Sequence, residues 1–148
     1  MTNTDDVSVL NGLIETTLDS MKGYEDAAKD AESTQFATMF ADFARDRAKV
    51  ATDLQNQVRT LGGEPEMDSS MLAAAHRTFM DLKQAITGKD DKAIIQEVER
   101  GEDHIKAKFE DAMKSGDLEP TTLTVINDAF TSVREGHDRM SALKHSMA

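Results

Sequence analysis

Apolar residues recur along this chain at the three- and four-residue spacing of amphipathic helices, and nowhere at the two-residue alternation of a strand. From Asp5 to about Ala31 the stripe runs Val7, Leu10, Ile14, Leu18, Met21 and Ala28, behind a first turn whose acidic residues suit a helix N-terminus. A second helix is expected from Ser33 or Thr34, either a good N-cap, to Leu61. Its apolar face carries Phe36, Met39, Phe40, Phe43, Val50, Leu54, Val58 and Leu61. Gly62 and Gly63 then supply the left-handed geometry that ends a helix, and Pro65 prevents continuation.

A shorter helix follows from Ser69 to about Thr87, with Leu72, Ala75, Phe79, Leu82 and Ile86 on one face and Gly88 at its end. At about 1.5 Å per residue it reaches roughly 28 Å, enough to carry the chain back along a bundle. The third long helix is expected from about Asp90 to Ser115, with a break at Ser115-Gly116. The fourth runs from about Pro120, which suits a first turn, to Ser146. It presents Leu123, Ile126, Phe130, Val133, Met140 and Met147 inward, and the same register brings His137 to the core face. Alternating directions pair the first helix with the second and the third with the fourth across one long connection. The expected fold class is therefore all-α: a single ferritin-like antiparallel four-helix bundle over residues 1–148, with the shorter helix as the crossover. A five-helix up-down bundle is the structural alternative.

On the third helix the pattern has one departure. Ile95, Glu102 and Phe109 form one row and Val98, Ile105 and Ala112 the next, so a carboxylate stands where an aliphatic residue is expected. A buried charge needs a partner or a proton. The other long helices offer candidates: Glu25 with Tyr24 at the stripe's edge, Arg47 between Phe43 and Val50 with Asp46 beside it, and His137. From the expected boundaries these groups lie within about two turns of one level.

Two readings follow. In the first, Tyr24, Arg47, Glu102 and His137 form a buried polar layer closed by an Arg47–Glu102 ion pair, with no catalytic residue and no cofactor. In the second, Glu25, Asp46, Glu102 and His137 form a degenerate metal site for iron, manganese or zinc. Ferritin-like di-metal sites draw a Glu-x-x-His from each of two helices. Here the matching slots read Asp46-x-x-Lys49, Arg47-x-x-Val50 and Arg134-x-x-His137, and a fixed guanidinium repels a metal as it satisfies Glu102. The first reading therefore leads. Haem held by His137 and Met21, Met39 or Met140 is weaker, because core Met and His ordinarily serve packing. His76, His104 and His145 are expected in solvated or interface positions.

A formal charge of −11 argues against binding to a phosphate backbone and disfavours anionic membranes. No apolar run approaches the length of a membrane span, and the start MTNTDDVSVL lacks the basic and apolar regions of a signal peptide, so a cytoplasmic location is expected. The absence of cysteine removes disulfides, thiolate metal sites and cysteine nucleophiles. No Gly-rich phosphate loop or serine triad motif occurs. Self-association into a homo-oligomer, or binding of a protein partner, is compatible with every one of these features.

The segments GYEDAA (23–28), DRA (46–48), LGGEP (61–65), HRTFMDLK (76–83) and above all ERGED (99–103) give the chain its resemblance to a bacterial family of unknown function classed with the ferritin-like four-helix bundles. The resemblance implies a closed helical bundle and a stress-associated protein, and it carries no established reaction. It also implies a non-acidic residue near position 25 and no fixed histidine near 137, so Glu25 and His137 are particular to this chain.

Overall fold

The computed structural model describes residues 4–67 and 91–146. These form four long helices, α1 (Thr4–Asp30), α2 (Thr34–Thr60), α3 (Asp91–Lys114) and α4 (Pro120–Ser146), and no strand occurs among the described residues. The expected short helix over 69–87, His76 within it, and Met147 lie outside the described residues.

The helix ends follow from local chemistry. Ser33 has extended backbone and its hydroxyl accepts from the Phe36 amide at 3.4 Å, the N-cap of α2. Beyond α2, Gly62 adopts φ 82, and the Gly62 and Gly63 amides donate back to the Arg59 and Val58 carbonyls, each at 3.0 Å. Side chains from elsewhere in the bundle tie down several other ends. The Asp91 carboxylate, opening α3, accepts from the Glu32 and Ser33 amides at 2.9 and 3.1 Å. At the other end of α1, Asp6 Oδ2 accepts from the Glu119 amide at 3.0 Å, just before α4. Gln57 near the end of α2 donates to Thr122 Oγ1 in the first turn of α4 at 3.2 Å.

Each helix packs on two others: α1 on α2 and α3, α4 on the same two. The apolar interior falls into two clusters. One contains Leu10, Leu13, Ile14, Val50, Leu54, Val58, Ile105, Phe109, Ile126 and Val133. The other contains Tyr24, Ala27, Met39, Phe40, Ile94, Ile95, Val98 and Met140. Between the two clusters α2 contributes Arg47, α3 contributes Glu102 and α4 contributes Gly136, all buried.

On α1 and α4 the buried face is turned by about one residue from the expected stripe. In α1 the interior positions are Asp6, Leu10, Leu13, Ile14, Thr17, Tyr24 and Ala27, whereas Val7, Leu18, Met21 and Ala28 are only partly buried. In α4 they are Thr122, Ile126, Ala129, Val133, Gly136 and Met140, with Leu123 and Phe130 at the flanks. Small residues on the line of closest approach let the helices come together, and larger apolar side chains reach the core from either side. No helix among the described residues is long and apolar enough to cross a membrane.

Candidate functional site

Glu102 sits 1% exposed in the middle of α3, and its two oxygens are both engaged. Arg47 Nη2 from α2 donates to Oε2 at 2.6 Å, and the Tyr24 hydroxyl from α1 donates to Oε1 at 2.7 Å. Arg47 is also 1% exposed, so the ion pair is shut off from water. Its guanidinium carbon lies 5.6 Å from the centroid of the Tyr24 ring, which stacks on Phe43 at 5.2 Å between centroids. One polar atom of the group, Arg47 Nη1, is buried with no hydrogen-bond partner among the described residues.

The fourth helix contributes space. A Cβ built on Gly136 would lie 2.5 Å from Arg47 Nη2 and 3.3 Å from Glu102 Oε2. Any side chain there would push into the pair. The environment also acts on Tyr24, whose phenol is raised well above its ordinary pKa of 10.0, first by burial and then by the negative charge and hydrogen bond of Glu102. Arg47 opposes that shift without cancelling it.

His137 does not join this group. It follows Gly136 on α4 and lies toward the rim, where Nε2 is 2.6 Å from Asp103 Oδ1 on α3 and Nδ1 is 3.2 Å from Asp138 Oδ1. Partial burial lowers its pKa, but the hydrogen bonds to Asp138 and Asp103 prevail and leave it raised above 6.5. Glu99 stands one turn before Asp103 and its carboxylate accepts from Lys144 Nζ at 3.1 Å. Glu99, Asp103 and His137 can place one ligand atom each within 4.8 Å of one another, across α3 and α4.

The four candidate metal ligands are not brought together. Glu25, one residue from the interior position of Tyr24, is half-buried in a groove of about 860 Å³ between α1 and α2, lined with Met21, Ala28, Ala37, Ala41 and Ala44 among others. Asp46 is exposed and borders a smaller cavity of about 240 Å³ with Phe43 and Arg139. Glu102 is committed to Arg47 and Tyr24, and His137 to the carboxylates at the rim. For the haem pairing, Met39 and Met140 are buried in the apolar cluster with Met21 packed against it, while His137 lies at the rim with its ring nitrogens facing Asp103 and Asp138. His104 is exposed, and His145 Nδ1 lies 2.7 Å from the Ser141 carbonyl oxygen in its own helix.

Sequence reasoning missed Gly136 and the carboxylates around His137. The signal for Gly136 was a glycine inside a continuous helical pattern, which marks a close approach where it is not a turn. The Glu99-x-x-x-Asp103 spacing puts two carboxylates on one helical face, but nothing local shows that α4 brings a histidine to it.

The fold and this site define a class: among the described residues, bundled helices whose interior holds a water-excluded tyrosine–glutamate–arginine group. Residues 5–115, spanning α1 to α3, match the family described as Domain of unknown function (DUF2383), and the chain belongs to that family. No curated protein matches it.

Proposed function

We propose that the protein is a non-enzymatic, ferritin-like antiparallel bundle of bacterial origin, formed by the whole chain as one domain, that works through self-association or a protein partner. The antiparallel arrangement is supported by the end-to-end ties: the start of α3 meets the end of α1, and the start of α4 meets the beginning of α1 and the end of α2. The observation that carries the functional reading is the occupancy of Glu102. Tyr24 and Arg47 take its two oxygens, and a permanent cation stands beside the carboxylate that a metal would use. With Arg47 and Glu102 almost fully buried, no substrate reaches the group, and its role is to fix the register in which the helices meet. A cytoplasmic, stress-associated setting accompanies this reading.

Ferrous oxidation in air tests it. The purified protein, loaded with ferrous ion, should oxidise it no faster than buffer. Oxidation above buffer that disappears in Glu102→Gln would overturn the reading in favour of a ferritin-like oxidoreductase. Sedimentation equilibrium of the same material reads the self-association arm directly.

A further inference from the structure

Just outside the buried pair, between α3 and α4, lies a second cluster whose chemistry differs. Glu99 and Asp103 are one turn apart on α3, and the His137 imidazole faces them from α4. We propose that Glu99, Asp103 and His137 form a site for a divalent cation of the zinc type that bridges α3 and α4 at the rim of the bundle.

Imidazole nitrogen with two carboxylate oxygens is a donor set that suits zinc, and three protein ligands leave a fourth position for water. The distances are close to what such an ion requires. Ligands at about 2.0–2.1 Å in a tetrahedron are about 3.3 Å from one another. The three ligand atoms already lie within 4.8 Å of one another, and His137 Nε2 and Asp103 Oδ1, at 2.6 Å, need only part by less than about 1 Å. An independent feature lies behind the cluster. Asp138 meets the other ring nitrogen, Nδ1, at 3.2 Å, the outer carboxylate that fixes a histidine's tautomer and turns Nε2 toward a metal. Glu99 is 7% exposed, so its carboxylate stays at the site, and the group that neutralises it, Lys144, has a side chain 44% exposed and free to withdraw into water. A cation would replace the Lys144 ammonium at Glu99 and the hydrogen bond between His137 and Asp103.

This site is separate from the non-enzymatic reading of the interior, since it shares no ligand with the Arg47–Glu102 pair. Isothermal titration of the full chain with zinc chloride in a non-chelating buffer should show one ion per chain. Asp103→Asn and His137→Ala should each abolish that binding event, with helical circular dichroism confirming that both variants fold. Asp138→Asn should weaken binding by about 10- to 100-fold, and Lys144→Ala should strengthen it by removing the competing ammonium. Absence of one-to-one binding, or binding retained in Asp103→Asn and His137→Ala alike, would overturn the proposal. Loss of zinc binding with ferrous oxidation still at buffer level separates this site from any interior chemistry.

Discussion

Replacing Gly136 by alanine should destabilise the protein, although the same change at Gly101 should stabilise it. Both glycines lie inside helices, so in each case alanine brings the same intrinsic gain of about 1 kcal/mol. At Gly101, exposed on α3, nothing lies within 4 Å of the added Cβ, and the gain stands. At Gly136 the Cβ would come 2.5 Å from Arg47 Nη2, well inside van der Waals contact. The end of an arginine ordinarily swings aside, but this one is held at 2.6 Å by Glu102 within a buried group, and Glu102 Oε2 is itself 3.3 Å from the new atom. Overpacking of this kind costs about 1–3 kcal/mol. Set against the propensity gain, it leaves Gly136→Ala less stable than the parent by up to about 2 kcal/mol. Urea unfolding followed by circular dichroism measures both changes, read as shifts of midpoint at constant slope. A double-mutant cycle locates the cause: with Arg47→Met and Glu102→Leu in place, Gly136→Ala should lose its penalty. If Gly136→Ala stabilises as much as Gly101→Ala, or if its penalty survives in the apolar background, Gly136 is not the space the ion pair needs.

Glu102→Gln should cost about 3–5 kcal/mol, the usual effect of leaving one member of a buried pair uncompensated, while Arg47→Met with Glu102→Leu together should cost less than Glu102→Gln alone; the reverse order in urea midpoints would contradict the buried pair. Tyr24, the sole tyrosine in a chain without tryptophan, gives the pH dependence its own probe. Its folded pKa is raised, so the fold favours the neutral phenol; that stabilisation is complete below the unfolded pKa of about 10 and is lost as pH rises through the higher folded value. Tyrosinate absorbance should therefore lag behind that of the urea-unfolded chain and rise together with loss of helix; tyrosinate formed near pH 10 with helical ellipticity intact would show Tyr24 to be accessible.

The helices were legible because period, caps and breakers agree: Ser33, Gly62 and Pro120 end or begin helices where their backbone chemistry requires it. On α3 the rows through Ile95, Glu102 and Phe109 and through Val98, Ile105 and Ala112 are buried as the spacing implies, because large apolar residues and the interior line coincide there. On α1 and α4 they do not coincide. Leu18, Met21, Leu123 and Phe130 drew the expected stripe toward the flanks, whereas the interior line runs through Thr17, Tyr24, Ala129 and Gly136, whose small size or polar partner is what the packing selects. A shift of one residue is 100° on a helix, and it exchanged Glu25 for Tyr24 and His137 for Gly136. The partners of a buried carboxylate depend on that rotation, which is a property of the assembled bundle rather than of any one helix.

The interior layer divides its demands unevenly along the chain. Every charge and hydrogen bond described at that level, among Tyr24, Arg47 and Glu102, closes within the first three helices, the stretch that matches the family, and Gly136 comes from beyond it. Tolerance to substitution is therefore of two kinds. At positions 24, 47 and 102 it is chemical identity that is constrained, since each group completes the valence of another. At position 136 it is volume alone. What the pair asks of the fourth helix is its shape at the point where the two cross.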